Sequence, residues 1–241
     1  MGTPIDRAAG TPPLVAVVLA TGNRDKVREF KPMLEGILPQ LRLYSLDDLA
    51  LSPEIEETEP TLEGNARLKA EALYSLAEPM FEWLIVLADD TGLEVNALGG
   101  APGVRSARFA PAPDGSSPSY EDNVSHLLKS IDGAPVRTAR FRTVIALKGR
   151  MPSRDGGCFM VDETVEGRID GTITGERFGS GGFGYDPVFR PDGAGKTFAE
   201  MSLEEKNAIS HRALAVRSAT ARIRDLMAHA GIPSTETGNH P

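Results

Sequence analysis

Two adjacent carboxylates after an apolar run constrain this chain more than any other feature. Leu84–Leu87 is typical of a buried strand, and Asp89 and Asp90 follow almost at once. We therefore expect the strand to end here and to place both carboxylates in a cleft at its carboxyl end. Unpaired carboxylates are costly unless a cation neutralises them, and Mg²⁺ prefers oxygen ligands and phosphates. An ordinary turn with Gly92 at positive φ is the alternative interpretation.

Composition limits the classes of protein open to this chain. With 241 residues and a single cysteine, Cys158, it can bury a sizeable core and forms no intramolecular disulfide. The net charge of −8 argues against a nucleic-acid surface but leaves a phosphorylated small molecule open. No apolar run reaches the roughly 20 residues of a membrane helix, and residues 1–12 lack the apolar core of a signal peptide. We expect a cytoplasmic protein with no nucleic-acid and no membrane partner.

The pattern along the chain predicts one domain over residues 14–231, between a flexible arm (1–13) and a flexible tail (232–241). Apolar runs and alternation predict strands at 14–20, 41–46, 141–147, 158–164 and 167–174. Helical spacing predicts helices over 27–38, 62–77, 124–131 and 210–228, with Ser119 and Asp122 as a capping box before the third. We predict a mixed α/β fold in which helices flank a mixed β-sheet and two lobes enclose a central nucleotide-binding cleft.

The turn after the first predicted strand has the residue types of a phosphate site. It consists of Thr21, Gly22, Asn23, Arg24, Asp25 and Lys26. A helix N-terminus binds anions through its free N–H groups and its dipole, and Gly22 lets the backbone approach a ligand closely. The amide of Asn23 and the ammonium of Lys26 supply further donors. The spacing is not that of a P-loop, and a capped helix with a solvated lysine is the alternative.

A glycine-rich loop, residues 179–187, formally matches G-x-G-x-x-G but precedes Pro187 instead of opening a helix. A dinucleotide fingerprint is therefore a poor interpretation. We expect a flexible loop in which Phe183 and Tyr185 flank a planar base and Asp186 bonds a polar edge or a sugar. A glycine-rich hairpin loop with one aromatic ring packed beneath it is the alternative.

Basic residues open the last predicted helix. Ser210 is the expected N-cap, and His211 and Arg212 follow in the first turn. Helix starts favour acids over cations, so this pair indicates an external anion or a carbonyl-bearing ligand. A solvated basic turn is the alternative.

Together these segments resemble the inosine/xanthosine triphosphate pyrophosphatases. The matching blocks occur in family order and span most of the chain: Thr-Gly-Asn-x-x-Lys at 21–26, Glu-Thr…Asn-Ala-x-x-Lys-Ala at 57–70, Ala-Asp-Asp-Thr-Gly-Leu-Glu-Val-x-Ala-Leu-Gly-Gly-Ala-Pro-Gly at 88–103, Gly-Gly-Phe-Gly-Tyr-Asp-Pro at 181–187 and Glu-Lys-x-x-Ile-Ser-His-Arg at 205–212. The resemblance implies hydrolysis of a purine nucleoside triphosphate between its α- and β-phosphates, with Mg²⁺ as cofactor. It also implies a fold of two lobes around a long cleft and, commonly, a homodimer.

The resemblance also assigns roles to individual residues. Asp90 matches the catalytic carboxylate that activates water, and the implied metal ligands are Asp90, Glu57 and Asp89. Substrate contacts fall on the 21–26 turn, Lys69 and Thr91 at the phosphates, and on Phe183, Gly184, Tyr185, Asp186, Lys206, His211 and Arg212 at the nucleobase. A cation near Asp90 would depress its pKa, and we expect the neighbouring Asp89 to act in the opposite direction.

Three positions depart from the family pattern. Thr91 replaces a common Ser and keeps the hydroxyl, and Ala213 replaces a common Gly. Gly64 stands where many members carry Glu, so that acid cannot act here unless Glu63 substitutes for it. We expect ITP, dITP and XTP to be preferred over ATP and GTP. A hydrolase for pyrimidine or damaged nucleotides and a non-catalytic nucleotide-binding protein stay open as alternatives.

Overall fold

The computed structural model describes residues 14–34, 41–112 and 116–232, with the side chains of Arg24 and Pro32 left out. The predicted arm, residues 1–13, and most of the predicted tail, residues 233–241, lie outside the described residues. Ile232, where the tail was expected to begin, is buried and donates its N–H to the carbonyl of Met227 at 2.9 Å. The packed core therefore includes this residue.

The described helices and strands follow the predicted order. The strands are β1 (Val15–Leu19), β2 (Leu41–Ser45), β3 (Leu84–Val95), β4 (Pro102–Gly103), β5 (Thr138–Pro152), β6 (Cys158–Ile173) and β7 (Phe189–Pro191). The helices are α1 (Arg24–Leu34), α2 (Leu62–Ala77), α3 (Tyr120–Ser130), α4 (Leu203–Ile209) and α5 (His211–His229). No helix among the described residues is long and apolar enough to cross a membrane.

Within the described residues, the strands form one mixed sheet in the order β2-β1-β3-β5-β6-β7, and β4 pairs with β3. β1 runs parallel to β2 and β3, whereas β5 is antiparallel to β3 and β6. The sheet is mixed because α1 and α2 provide the crossovers that parallel neighbours need, while a tight turn suffices between β5 and β6. The predicted mixed α/β class, with helices flanking a mixed sheet, is confirmed.

Alternation along the central strands separates two hydrophobic layers. Val17 of β1 and Ile85 of β3 face a core shared with α1 and α5, whereas Val18 and Val86 face α2. Successive strand residues point to opposite faces, so helices cover both sides of the sheet. A third cluster, around Phe189, lies between the far ends of β3 and β5, α3 and the segment before α4.

Two strand predictions were wrong. The strand predicted to end before Asp89 and Asp90 continues to Val95, because β5 pairs with β3 along its whole length. The two strands predicted at 158–164 and 167–174 are a single strand, Cys158–Ile173, which pairs with β5 without interruption.

Candidate active site

A cavity of about 350 Å³ lies beside the end of β1. β1 pairs with β3 only as far as Leu87, and β4 joins the same edge of β3 at Leu93. Between these points the described part of the sheet offers no neighbour on that edge, and the turn after β1 approaches instead. The cavity therefore forms at the carboxyl end of a parallel strand, where ligands commonly bind in α/β sheets.

Most of the predicted site residues line this one cavity, although they come from distant parts of the chain. The predicted residues among its lining are Thr21, Gly22, Asn23, Lys26, Glu57, Lys69, Asp89, Asp90, Thr91, Phe183, Gly184, Tyr185, Asp186, His211 and Arg212. Asp25 and Lys206 do not line it, and the side chain of Arg24 lies outside the described part of the structure.

Asp89 points toward α1. Its Oδ2 lies 2.8 Å from Nζ of Lys26 and accepts a hydrogen bond from the hydroxyl of Thr91 at 3.2 Å. Thr91 Oγ1 is also 2.8 Å from Oγ1 of Thr143, which must then be the donor of that pair. Burial raises the pKa of Asp89, but the charges of Lys26, Lys69 and Arg212 outweigh it and hold the pKa below its usual range. Asp89 is therefore ionised at neutral pH.

Asp90 points to the opposite face, toward α2. Its Oδ1 lies 3.0 Å from Nζ of Lys69, and its Oδ2 accepts a hydrogen bond from Nδ2 of Asn65 at 3.3 Å. Burial and the negative charge of Glu57 raise the pKa of Asp90 despite the opposing charge of Lys69. Asp89 was expected to oppose the lowering of this pKa by a cation, but the main upward influences on it are burial and Glu57. Asp90 is the more basic carboxylate of the pair.

Glu57 reaches the site from the extended segment before α2. Its Oε1 lies 3.1 Å from Nζ of Lys69, and its Oε2 lies 3.2 Å from Nη2 of Arg108. Burial raises the pKa of Glu57, but the charge of Lys69 and that of Arg108 outweigh it, so the pKa is lowered. Lys69 therefore links Glu57 to Asp90.

The turn before α1 differs from the expected arrangement of free N–H groups. Oδ1 of Asn23 accepts hydrogen bonds from the backbone N–H of Asp25 at 2.9 Å and of Lys26 at 3.3 Å. Oγ1 of Thr21 accepts from the N–H of Asn23 at 3.2 Å. These side chains occupy the donors that a phosphate would otherwise use, so the ammonium of Lys26 is the main cationic group that the turn presents to the cavity.

The glycine-rich loop is held by its own side chains. Oδ2 of Asp186 accepts from the backbone N–H of Phe183 at 2.8 Å and lies 2.6 Å from Nζ of Lys206. Tyr185 is 4% exposed, and its hydroxyl donates to the carbonyl of Ser106 at 2.8 Å. The polar groups of Asp186 and Tyr185 are therefore engaged within the protein, and the half-buried ring of Phe183 is the more accessible aromatic surface of the loop.

A buried ion cluster lies behind Phe183. Glu29 of α1 pairs with Lys206 at 2.7 Å and with Arg212. The guanidinium of Arg212 lies 4.7 Å and Nζ of Lys206 lies 5.2 Å from the centre of the Phe183 ring. Burial raises the pKa of Glu29, but these two cations outweigh it and lower the pKa. The basic turn of α5 is thus matched by an internal carboxylate, not only by an external anion as expected.

His211 is buried at the first residue of α5, next to this cluster. Its ring stacks on Phe141 with centroids 4.4 Å apart, and neither ring nitrogen has a hydrogen-bond partner among the described residues. Burial and the charges of Arg212 and Lys206 lower the pKa of His211 well below its usual range. A neutral imidazole offers one donor and one acceptor, and in this residue of the cavity wall both are buried and unpaired among the described residues.

Asn65 and Glu29 contact site residues but received no role from the sequence, and the same is true of several residues of the cavity wall, among them Ser106, Tyr120 and Asn123. Asn65 stands in the matching block at 57–70, four residues before Lys69, and this i, i+4 spacing was the signal that both contact Asp90. Glu29 had no comparable signal, because its partners lie 177 and 183 residues away in the chain. Glu63, the suggested substitute for an acid at position 64, lies 3.4 Å from Arg142 and does not line the cavity.

The carboxylate end of the cavity fits a hard divalent cation. Oδ1 of Asp89 is buried without a hydrogen-bond partner among the described residues, which is the state of an oxygen that a ligand completes. No three His, Cys, Asp or Glu side chains in the described ranges form a ready coordination shell. Mg²⁺ commonly takes one or two carboxylates together with water and substrate phosphates, so a closed shell of protein ligands is not required.

Comparisons with known proteins identify similar proteins over most of the chain. The model of the Ham1 family matches residues 17–222. A protein of Chlorobaculum tepidum named dITP/XTP pyrophosphatase is 58% identical over 91% of this chain and 97% of its own length. A Porphyromonas gingivalis protein of the same name is 46% identical over 88% of this chain and 96% of its own length.

Solved structures show the same relationship. A HAM1 protein from Coxiella burnetii is 31% identical and aligns with a TM-score of 0.72 over 88% of this chain and 100% of its own. The Staphylococcus aureus Ham1 protein is 34% identical, with a TM-score of 0.69 over 87% of this chain and 98% of its own. A family model that covers most of the chain, together with relatives that match about nine tenths of it, leads to one conclusion: this chain belongs to the Ham1 family.

Proposed function

We propose that this protein is a Mg²⁺-dependent nucleoside triphosphate pyrophosphatase that converts dITP, ITP and XTP to the monophosphate and pyrophosphate. Such a reaction removes deaminated purines from the nucleotide pool before they enter DNA or RNA. The observation that carries the proposal is a single cavity with lysine-paired carboxylates at one end and the unpaired, buried imidazole of His211 at the other. The names of the similar relatives support the same substrates.

The lysine and carboxylate end fits a triphosphate. Lys26 and Lys69 project into it from α1 and α2 and offset the charge of the phosphate oxygens. Asp90, Glu57 and Asp89 would hold Mg²⁺, which adds positive charge at the phosphates when it is bound. Positioning and charge stabilisation of this kind supply most of the acceleration in phosphoryl transfer.

Asp90 is the proposed general base. In the proposed reaction its carboxylate takes a proton from water as the water oxygen bonds to the α-phosphorus. The bond between that phosphorus and the bridging oxygen of the β-phosphate breaks, and pyrophosphate leaves. The raised pKa of Asp90 makes it a better proton acceptor than Asp89.

The opposite end fits a 6-oxopurine. The Phe183 ring supplies an apolar face, and His211 and Arg212 supply donors at the cavity wall. Inosine and xanthosine have a 6-oxo acceptor where adenosine has a 6-amino donor, so adenosine leaves such buried donors unpaired. Each unpaired group costs on the order of 1–3 kcal/mol, and two of them produce a large discrimination against ATP. Excluding GTP requires a penalty at the 2-amino group.

A product assay tests this proposal. With dITP and Mg²⁺ we expect dIMP and pyrophosphate in equal amounts, and we expect a chelator in excess to stop the reaction until Mg²⁺ is restored. A panel with ATP, GTP, CTP and UTP should give much lower kcat/KM values than dITP. Release of orthophosphate and dIDP would contradict cleavage between the α- and β-phosphates, and equal kcat/KM for dITP and a pyrimidine triphosphate would favour the alternative hydrolase.

A further inference from the structure

Asn65 joins two parts of the site that are otherwise separate. It lies in the first turns of α2 and is 1% exposed. Oδ1 of Asn65 accepts a hydrogen bond from the backbone N–H of Glu59 at 2.9 Å, and its Nδ2 donates to Oδ2 of Asp90 at 3.3 Å. One side-chain amide thus contacts the proposed base and the segment that leads into α2.

The orientation of this amide is fixed by its partners. A backbone N–H only donates, so the group that faces Glu59 must be the amide oxygen of Asn65. The NH₂ group must then face Asp90, which as a carboxylate only accepts. The two hydrogen bonds therefore depend on each other, and Asn65 cannot reverse without losing both.

The segment held by Asn65 has few other anchors. Residues 52–58, which we call the strap, form no helix or strand, and their exposure alternates: positions 53, 55 and 57 are half-buried, and positions 52, 54, 56 and 58 are exposed. At its start the N–H of Leu51 donates to the carbonyl of Leu46 at 3.0 Å. Within the described part of the chain, the strap forms no backbone–backbone hydrogen bond between that contact and Glu59.

The strap also supplies part of the cavity wall. Pro53, Ile55 and Glu57 line the cavity, and Glu57 contacts Lys69, which in turn contacts Asp90. Two side chains of α2, Asn65 and Lys69, therefore donate hydrogen bonds to the two oxygens of Asp90. Asn65 also accepts a hydrogen bond from Glu59 at the end of the strap.

We propose that Asn65 is a positioning residue. It sets the orientation of the Asp90 carboxylate, and it holds the strap so that Glu57 stays in place beside that carboxylate. This inference rests on the proposed function for its catalytic part. Asn65 does not line the cavity; it acts through the two groups that it holds, the Asp90 carboxylate and the backbone N–H of Glu59. Loss of a hydrogen-bond partner behind a reacting ligand typically costs about ten- to a hundredfold in activity.

Two substitutions separate the two hydrogen bonds. Asn65→Asp keeps an acceptor for the N–H of Glu59 but removes the donor to Asp90, whereas Asn65→Ala removes both. We expect both variants to lower kcat for dITP about ten- to a hundredfold, with a smaller change in KM. Only Asn65→Ala should accelerate hydrogen exchange at the amide of Glu59 and in the strap. Asn96→Asp is the matched control. Among the described residues, the side-chain amide of Asn96 donates to the hydroxyl of Thr138 and does not line the cavity, so the kcat of this variant should equal that of the parent.

The outcomes distinguish this inference from the proposed function. Affinity for a dITP analogue with a methylene bridge between the α- and β-phosphates, measured by calorimetry with Mg²⁺, should fall less than kcat in Asn65→Asp. If the parent cleaves dITP, either of two results would overturn this inference and leave the proposed function standing. One is full activity of Asn65→Asp, and the other is unchanged hydrogen exchange at the amide of Glu59 in Asn65→Ala. A folded parent that binds the analogue but does not cleave dITP would overturn the proposed function, and the exchange result would still decide whether Asn65 fixes the strap.

Discussion

Asp89 and Asp90 are chemically identical neighbours whose surroundings separate their pKa values. β3 turns them to opposite faces, so Asp89 meets Lys26 from α1 and Asp90 meets Lys69 and Asn65 from α2. The pKa of Asp89 is lowered and that of Asp90 is raised. Different environments of this kind commonly assign different roles to paired carboxylates.

The role of Asp90 is testable by an isosteric change. Asp90→Asn should keep the fold and much of the affinity for dITP but lower kcat about a hundredfold or more, because a positioned general base typically contributes that much. Initial rates and calorimetric binding measure the two effects. Asp89→Asn is the companion variant. We expect it to lose activity and to show a weaker dependence of the initial rate on Mg²⁺. Turnover of Asp90→Asn within tenfold of the parent would contradict the assignment.

His211 gives a prediction for stability against pH. Its pKa in the folded protein lies below the ordinary value of 6.5, so below about pH 6.5 the unfolded chain binds more protons at this position than the folded chain. The contribution of His211 to the free energy of unfolding is fully present above pH 6.5. It is lost as the pH falls toward the pKa of the folded state, by up to about 1.4 kcal/mol per pH unit. Denaturant unfolding should show that the free energy of unfolding falls less between pH 7.5 and pH 5.0 in His211→Phe than in the parent.

The reference for that experiment is the parent protein, unfolded at the same two pH values. A His211→Phe variant with the same pH dependence as the parent would show that the imidazole is not held neutral in the folded state.

At the scale of elements, the placement of α5 on β6 positions His211 and Arg212 in the cavity wall. A Cβ atom on Gly167 of β6 would lie 2.1 Å from the backbone nitrogen of Ala215 and 2.2 Å from the carbonyl oxygen of His211. Strand and helix backbones are therefore in direct contact at this glycine. The helix start that carries His211 and Arg212 depends on this close approach.

Gly167→Ala should push α5 away from the sheet. Overpacking typically costs about 1–3 kcal/mol, which corresponds to a Tm decrease of roughly 2–4 °C per kcal/mol in a chain of this size. We also expect a lower kcat/KM for dITP, since His211 and Arg212 move with the helix. Gly157→Ala in the β5–β6 turn is the control, because its Cβ would approach only Asp155, at 3.4 Å. Equal Tm values for the two variants would contradict the close contact.

The sequence correctly predicted features that depend on residues close together in the chain, such as helix caps. The capping box of Ser119 and Asp122 before α3 is confirmed, as is Ser210 at the start of α5. The end of β3 was wrongly predicted because the carboxylates of Asp89 and Asp90 are compensated by lysines from two helices that no short pattern connects. Glu29 was missed for the same reason, since its ion pairs join opposite ends of the chain.

At the scale of the whole molecule, the fold brings the candidate site residues into one cavity from distant stretches of sequence. The start of α1 supplies Lys26, the strap and α2 supply Glu57 and Lys69, β3 supplies the two aspartates, and the segment from the glycine-rich loop to α5 supplies the residues proposed to contact the base. The homodimer, the two-lobed closure and the cytoplasmic location stay predictions. Sedimentation of the full chain at micromolar concentration tests the dimer, and a monomer would contradict it.

The position of water attack tests the central claim most directly. Hydrolysis of dITP with Mg²⁺ in ¹⁸O-enriched water, followed by mass spectrometry of both products, reports which phosphorus the water oxygen joins. The account predicts one ¹⁸O atom in dIMP and none in pyrophosphate, since Asp90 directs water to the α-phosphorus. Label in pyrophosphate with unlabelled dIMP would place the attack on the β-phosphorus and contradict the account.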